Sequence, residues 1–312
     1  MNNLVFSINV ILPLVIEMAL GQLLRITDVI DGNTSKKMNS AIFKLFLPVL
    51  IFYNVYTSEI ADVFNAKLIL YAVLSIFILV GILAAAVPLF EKDKKKIGVI
   101  IQGIFRSNFV IFGVPLSIAL SGNSISGTVS VLVACVIPTF NLLAVIVLES
   151  FKGDKPDFKK ILLGIASNPL IISSILGFVF LFAKIKIYAP VESALKGIAS
   201  SATPLALIIL GASIDIKKIR GNTKQIAAAV TGRLIVVPAI FLSLAAMLGF
   251  RNGYLAILIA LYASPGAVSS YPMASQMGAD GELAAQIVMM QTCLCSVTVF
   301  LFIFILKHLG LI

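Results

Sequence analysis

Long apolar runs separated by short polar connections organise this chain. Leu68 to Leu89 and Ile287 to Leu306 are predominantly apolar over about 20 residues, the length an α-helix needs to cross a hydrocarbon core of about 30 Å. That spacing predicts ten spans, near residues 4–25, 38–57, 66–90, 97–120, 125–149, 160–183, 193–214, 225–249, 253–276 and 282–307. The first run continues too far for a cleaved signal peptide and has no basic segment ahead of it, so it is read as the first span. The predicted fold class is an all-α integral membrane protein.

Composition strengthens this reading. Hydrophobic residues make up 60% of the 312 positions and charged ones 12%, against roughly half and a quarter in soluble domains. The formal charge of +10 would suggest nucleic acid as a partner of a soluble protein, but the basic residues stand in the connections. Arg25, Lys36 and Lys37, then Lys92 and Lys94 to Lys96, then Lys152, Lys155, Lys159 and Lys160, then Lys217, Lys218, Arg220 and Lys224 follow spans one, three, five and seven. Only Lys67, Lys184, Lys186, Lys196 and Arg251 follow the even spans up to the eighth. The positive-inside rule makes the first set cytoplasmic and puts both termini outside. The expectation is a multi-pass protein of the cell (inner) membrane whose surroundings are lipid, with no nucleic-acid partner.

Prolines and glycines mark an internal repeat. Pro13 and Pro169, Gly21 and Gly177, and Pro48 and Pro204 are each 156 residues apart, and Pro115 and Pro272 are 157 apart. Pro88 and Pro238 are out of this register. A five-span unit repeated once must enter the bilayer from the opposite side the second time, because five is odd. Residues 1–152 and 153–312 are thus expected to form two inverted five-helix repeats, an arrangement typical of transporters.

The fourth and ninth spans carry the strongest breakers. Gly113 and Pro115 lie near the middle of the fourth, and Pro265, Gly266 and Pro272 are spread through the ninth, where proline removes an amide donor and clashes with the preceding turn. Both helices are expected to break there, and irregular backbone at membrane depth belongs in packed protein or beside a wet cavity. Candidate substrate-binding residues are therefore Ser107, Asn108, Gly113, Pro115, Asn141, Gly266, Ser269, Ser270 and Pro272. New helix N-termini after Pro115 and Pro272 would present amides and a positive dipole end suited to an anionic group. The opposing C-terminal ends also meet there, so dipoles alone leave the sign open.

Charges inside spans are functional candidates by default. Arg106 either attracts a carboxylate or snorkels toward the cytoplasmic surface, and Glu17 either relays protons or is paired within the bundle. Lys44 and Arg233 are the other two. Asn141, Gln276, Gln286 and Gln291 have interhelical hydrogen bonding as their default role. Cys135, Cys293 and Cys295 lack metal or redox spacing, and His308 is the only histidine, at the end of the last span. No cofactor, metal or enzymatic chemistry is expected.

These residues resemble a known family. Asn39 to Pro48 followed by VLIF, Asn108-x4-Gly113-x-Pro115-Leu116, and Ser264-Pro265-Gly266 with Pro272 resemble, in order and depth, the auxin efflux carrier family in its short bacterial form. The resemblance implies crossed broken helices 4 and 9, as in the sodium/bile-acid symporter fold. It implies a scaffold of spans 1, 2, 6 and 7, a transport domain of spans 3–5 and 8–10 moving as an elevator, a homodimer, and small organic anions as substrates: auxin-type acids, or dicarboxylates such as malate. Plant members often carry a long hydrophilic loop between spans five and six, which here shrinks to about Ser150 to Lys160. The alternative is a sodium-coupled symporter of the bile-acid type, for which Gln276, Gln286, Gln291 and Thr292 would supply oxygen ligands. No intramembrane carboxylate cluster accompanies them.

Overall fold

The computed structural model describes residues 2–58, 65–121, 125–152, 158–213 and 221–312. Lys155, Lys217, Lys218 and Arg220 of the expected cytoplasmic connections lie outside the described residues. The described chain is helical: α1 (Asn2–Ile26), α2 (Gly32–Tyr56), α3 (Ala66–Phe90), α4 (Lys94–Phe105), α5 (Phe109–Ser121), α6 (Ser126–Ser150), α7 (Phe158–Ala166), α8 (Pro169–Phe182), α9 (Ala189–Ser213), α10 (Thr223–Met247), α11 (Asn252–Ala263), α12 (Ser270–Gln276) and α13 (Gly281–His308). Six of these, α2, α3, α6, α9, α10 and α13, are long and apolar enough to cross a membrane, and α5, α8 and α11 are shorter apolar helices. The chain is thus a multi-pass membrane protein.

Asx side chains start many of these helices by accepting an otherwise orphaned amide. Asp31 accepts the Thr34 amide at 2.6 Å, Asn65 that of Leu68 at 3.0 Å and Asp280 that of Leu283 at 2.9 Å. The Asp31 cap begins α2 at Gly32, ahead of the apolar stretch, so Lys36 and Lys37 stand on helix rather than in a connection. At Asn168 the cap accepts the Leu170 amide and Pro169 occupies the first turn of α8. Proline disfavours helical backbone in the residue before it, so the sixth predicted span divides into α7 and α8, whereas Pro13 is carried inside an unbroken α1.

The fourth span breaks at a different place from the one its proline suggests. The helix stops at Phe105, runs irregularly through Arg106, Ser107 and Asn108, and resumes at Phe109. Gly113 and Pro115 do not mark the break. Instead Phe109–Gly113 forms one wide π turn, and Pro115 follows it two residues later. The same arrangement precedes Pro48, after the π turn Ile42–Phe46, and Pro238, after Gly232–Val236. A widened turn shifts the carbonyl that the proline ring would strike, so these helices absorb their prolines without breaking. The ninth span does unwind around Pro265 and Gly266, between Ala263 and Ser270, while Pro272 sits in the first turn of α12.

Two helix contacts depend on absent side chains. A Cβ on Gly21 would run into the Ile208 carbonyl of α9, and one on Gly211 into the Met18 carbonyl of α1. These backbones touch directly, as small residues permit in lipid. Gly177 of α8 likewise sits against Val55 and the Phe52 carbonyl of α2, 3.1 Å from where its Cβ would lie.

Candidate functional site

The two unwound segments pair with each other. Ser107 and Gly266 form an isolated antiparallel bridge, with the Asn108 amide donating to the Pro265 carbonyl at 2.8 Å and the Ala267 amide to the Arg106 carbonyl at 3.1 Å. Backbone groups stripped of helical partners are thereby satisfied across the crossing, which a low-dielectric interior requires.

Two buried side chains brace this crossing. Gln291 of α13 accepts the Gly266 amide at 3.0 Å and donates to the Gly103 and Ala229 carbonyls at 3.0 Å each. A Cβ at Gly266 would strike the Gln291 carboxamide oxygen and displace it from these bonds. Arg233, in the π turn of α10 and 1% exposed, donates through Nε to Ser264 O at 2.8 Å and through its terminal nitrogens to Leu261 O at 2.7 Å and to Ile104 O and Phe105 O at 3.3 Å. It therefore caps the C-terminal ends of α4 and α11 together.

A small cavity, partly open to its surroundings, lies against the crossing. Arg106, Ser107, Asn108, Ala267 and Ser269 come from the unwound segments, Asn54 from α2 and Asn141 from α6. A smaller void continues past Asn108 and Ser269 to Thr203 and Ala206 of α9. Leu47, Leu50, Ile51, Phe109, Ile111, Ile137 and Phe140 supply an apolar wall.

Arg106 does not snorkel. Its side chain is 4% exposed, donates to Asn141 Oδ1 at 2.6 Å and to the Met273 sulfur at 3.3 Å, and so keeps further donors for the cavity. Because Asn141 Oδ1 faces the guanidinium, its amide nitrogen points elsewhere, and that nitrogen, Asn108 Nδ2, Ser107 Oγ and Ser270 Oγ are buried without a partner. Buried polar groups are normally satisfied, and Ser107 Oγ, Asn108 Nδ2 and Asn141 Nδ2 belong to residues that line the cavity, with that capacity free for a guest. The amides of Phe109, Val110 and Ile111 precede the first intrahelical bonds of α5, which are donated by Phe112 and Gly113 to Asn108 O, and all three residues line the cavity. Among the described residues, the lining contains one cation and no carboxylate.

Of the residues singled out from sequence, Arg106, Ser107, Asn108, Asn141 and Ser269 meet at this cavity. Ser270 is buried just beyond it. Gly266 holds the crossing, Gly113 lets α5 approach the Ala260 carbonyl of α11, Pro272 is packed within α12, and Pro115 is exposed on the far face of α5. Glu17 is half-buried on α1 and does not line the cavity. Sequence reasoning passed over Asn54, whose signal was an amide in an otherwise apolar span. Gln291 bonds between helices as its type suggests, whereas the task of Arg233 is defined only by the meeting of α4 with α11.

The profile of a family described as membrane transport protein matches residues 6–303. An uncharacterised transporter of Methanocaldococcus jannaschii is 22% identical over 296 residues, spanning 91% of this chain and 94% of the relative. A Rhizobium meliloti protein bearing the provisional name malonate transporter is 22% identical over 275 residues, 86% of each chain.

Proposed function

This chain belongs to the membrane transport protein family, the family of the auxin efflux carriers and one of transporters rather than enzymes, and we propose that it carries a small organic anion across the cytoplasmic membrane as a secondary transporter. The observation that carries this reading is the lining of the crossing: the Arg106 guanidinium, unpartnered amide groups of Asn108 and Asn141 and the first amides of α5, with no carboxylate to neutralise them. Such a set suits a ligand that only accepts hydrogen bonds and carries negative charge. The apolar wall from Leu47 to Phe140 suits the carbon body of a short carboxylate. A dicarboxylate of the size of malate or malonate, the latter in the name of one relative, fits both halves of the lining, and an auxin-like acid would press its ring on Phe109 and Phe140.

Ten spans in two inverted repeats make this a carrier by alternating access. Three features support the repeat. The unwound segments stand at corresponding places and pair antiparallel. Gly21 and Gly177, 156 residues apart, each seat a close crossing, α1 on α9 and α8 on α2. The repeat maps α1 onto α8 and α2 onto α9, so it exchanges those two contacts. Spans 1, 2, 6 and 7 then form a scaffold, and spans 3–5 and 8–10 carry the crossing past it as an elevator, within a homodimer.

Proteoliposomes loaded with purified protein test the reading. Uptake of labelled malate, malonate or indole-3-acetate above empty liposomes is expected for at least one, and Asn108→Ala should reduce it about tenfold or more while leaving folding intact, the effect of removing one hydrogen-bond donor to a charged ligand. Unchanged transport of every recognised anion by Asn108→Ala would remove the site from consideration.

A further inference from the structure

We propose that the Arg233 guanidinium is a resident cation that occupies the place of a coupling ion at the helix crossing, so that this carrier works without sodium there and acquires a cation dependence when Arg233 is removed. Ile104 and Phe105 close α4, and Leu261 and Ser264 close α11, and the carbonyl oxygens of all four surround one guanidinium. Each helix end carries about half a negative elementary charge. Two such ends together balance about one monovalent cation. In carriers built on broken helices, freed carbonyls at half-helix C-termini are where a coupling sodium ion is coordinated.

Here the guanidinium enters between those carbonyls from the side. All its bonds go to those main-chain oxygens, and among the described residues no carboxylate forms an ion pair with it. An ordinary buried arginine pairs with an acid, whereas this one pairs with two helix ends. Gly232 beside it lies against Ile104 and brings the π turn of α10 close enough for a side chain to reach both ends. Arginine is not deprotonated in proteins, so the charge stays with the protein through the transport cycle. The oxygens that the sodium-coupled alternative would draw from Gln286 and Gln291 are also engaged: Gln286 accepts from Asn222 at 2.9 Å and Gln291 from Gly266.

The test needs no transported substrate, so it stands or falls apart from the anion reading. Thermal unfolding of the purified full-length protein is compared in sodium chloride and choline chloride at equal concentration, for wild type, Arg233→Ala, Arg233→Gln and Arg233→Lys. The wild type is expected to unfold at the same temperature in both salts. Arg233→Ala should be less stable in choline and should regain about 5 °C in sodium, or in guanidinium at about 10 mM, far below denaturing levels. Urea, the neutral isostere, should do nothing. If Arg233→Ala does not fold, the remaining pair decides: the lysine variant, which keeps the charge, should be more stable than the glutamine variant and indifferent to sodium. A wild type stabilised by sodium over choline, rescue by urea equal to that by guanidinium, or a glutamine variant as stable as the lysine one would each overturn the proposal. A merely structural cap would lose stability on substitution without gaining this preference for cations.

Discussion

The Gln291 carboxamide oxygen holds the Gly266 amide at 3.0 Å, while its nitrogen serves the Gly103 carbonyl on the other unwound span. One side chain of α13 thus ties both segments of the crossing, and a side chain at residue 266 would push it out of place. Gly266→Ala should cost about 1–3 kcal/mol, since it overpacks a rigid site and frees buried polar groups. Thermal unfolding in detergent measures this, and a variant as stable as the wild type would contradict the geometry.

Arg106 offers a test of the fork rather than of charge alone. Arg106→Lys keeps a cation but cannot both hold Asn141 Oδ1 and present a planar pair of donors. Half-saturation for the transported anion should rise about tenfold, roughly 1.4 kcal/mol, with protein yield and melting unchanged. Concentration-dependent uptake in proteoliposomes provides the readout, and an unaltered curve would argue against contact with substrate.

Pro115 supplies the contrasting case. It is exposed on α5, beyond the π turn and away from the cavity. Pro115→Ala is expected to leave uptake within about twofold of wild type and stability within about 0.5 kcal/mol, as for surface changes elsewhere. Loss of transport in a folded Pro115→Ala protein would show that the proline acts on the site after all.

The contact between α1 and α9 rests on Gly21. Gly21→Leu drives a side chain into the Ile208 carbonyl, and separating the two backbones should cost about 1–3 kcal/mol. The melting temperature should fall, and Gly81→Leu, where nothing lies near the added carbon, should not show it. Equal melting of both variants would refute direct backbone contact.

Glu91, in the connection between α3 and α4, makes the acid stability testable. Burial pushes its carboxyl up, but hydrogen bonds from Gln225 at 2.7 Å and from the Asp93 and Lys92 amides outweigh it and hold the group below the usual carboxylate range. A lowered folded value means that its stabilisation is complete above the unfolded value, about 4.3, and fades as pH falls through the folded one. Melting curves between pH 3 and 6, read as roughly that window, should fall less steeply for Glu91→Gln than for wild type. Parallel curves would assign the acid sensitivity elsewhere.

Much of the site was legible in the chain. Arg106, Ser107 and Asn108 stand out as polar residues in an apolar span near breakers, and Pro265 with Gly266 marks the ninth span's unwinding correctly. The fourth span opens at Arg106 to Asn108, several residues before the proline that suggests a break. Proline's local clash has more than one remedy, and a π turn, whose cost depends on what packs around the helix, supplied it at Pro48, Pro115 and Pro238 alike.

The amino-acid order alone determined that this protein lives in a bilayer, since apolar run length answers to membrane thickness and can be read one segment at a time. It also marked the ninth span's unwinding at Pro265 and Gly266, where the breakers act on their own turn, whereas the fourth span opens several residues before its proline. Only the tertiary structure decided that the two freed segments satisfy each other through Ser107 and Gly266, that Arg233 faces carbonyls while Arg106 faces a cavity, and that Glu17 takes no part there. Those outcomes depend on which spans become neighbours, and a buried charge takes its role from what it meets rather than from the residues beside it in the chain.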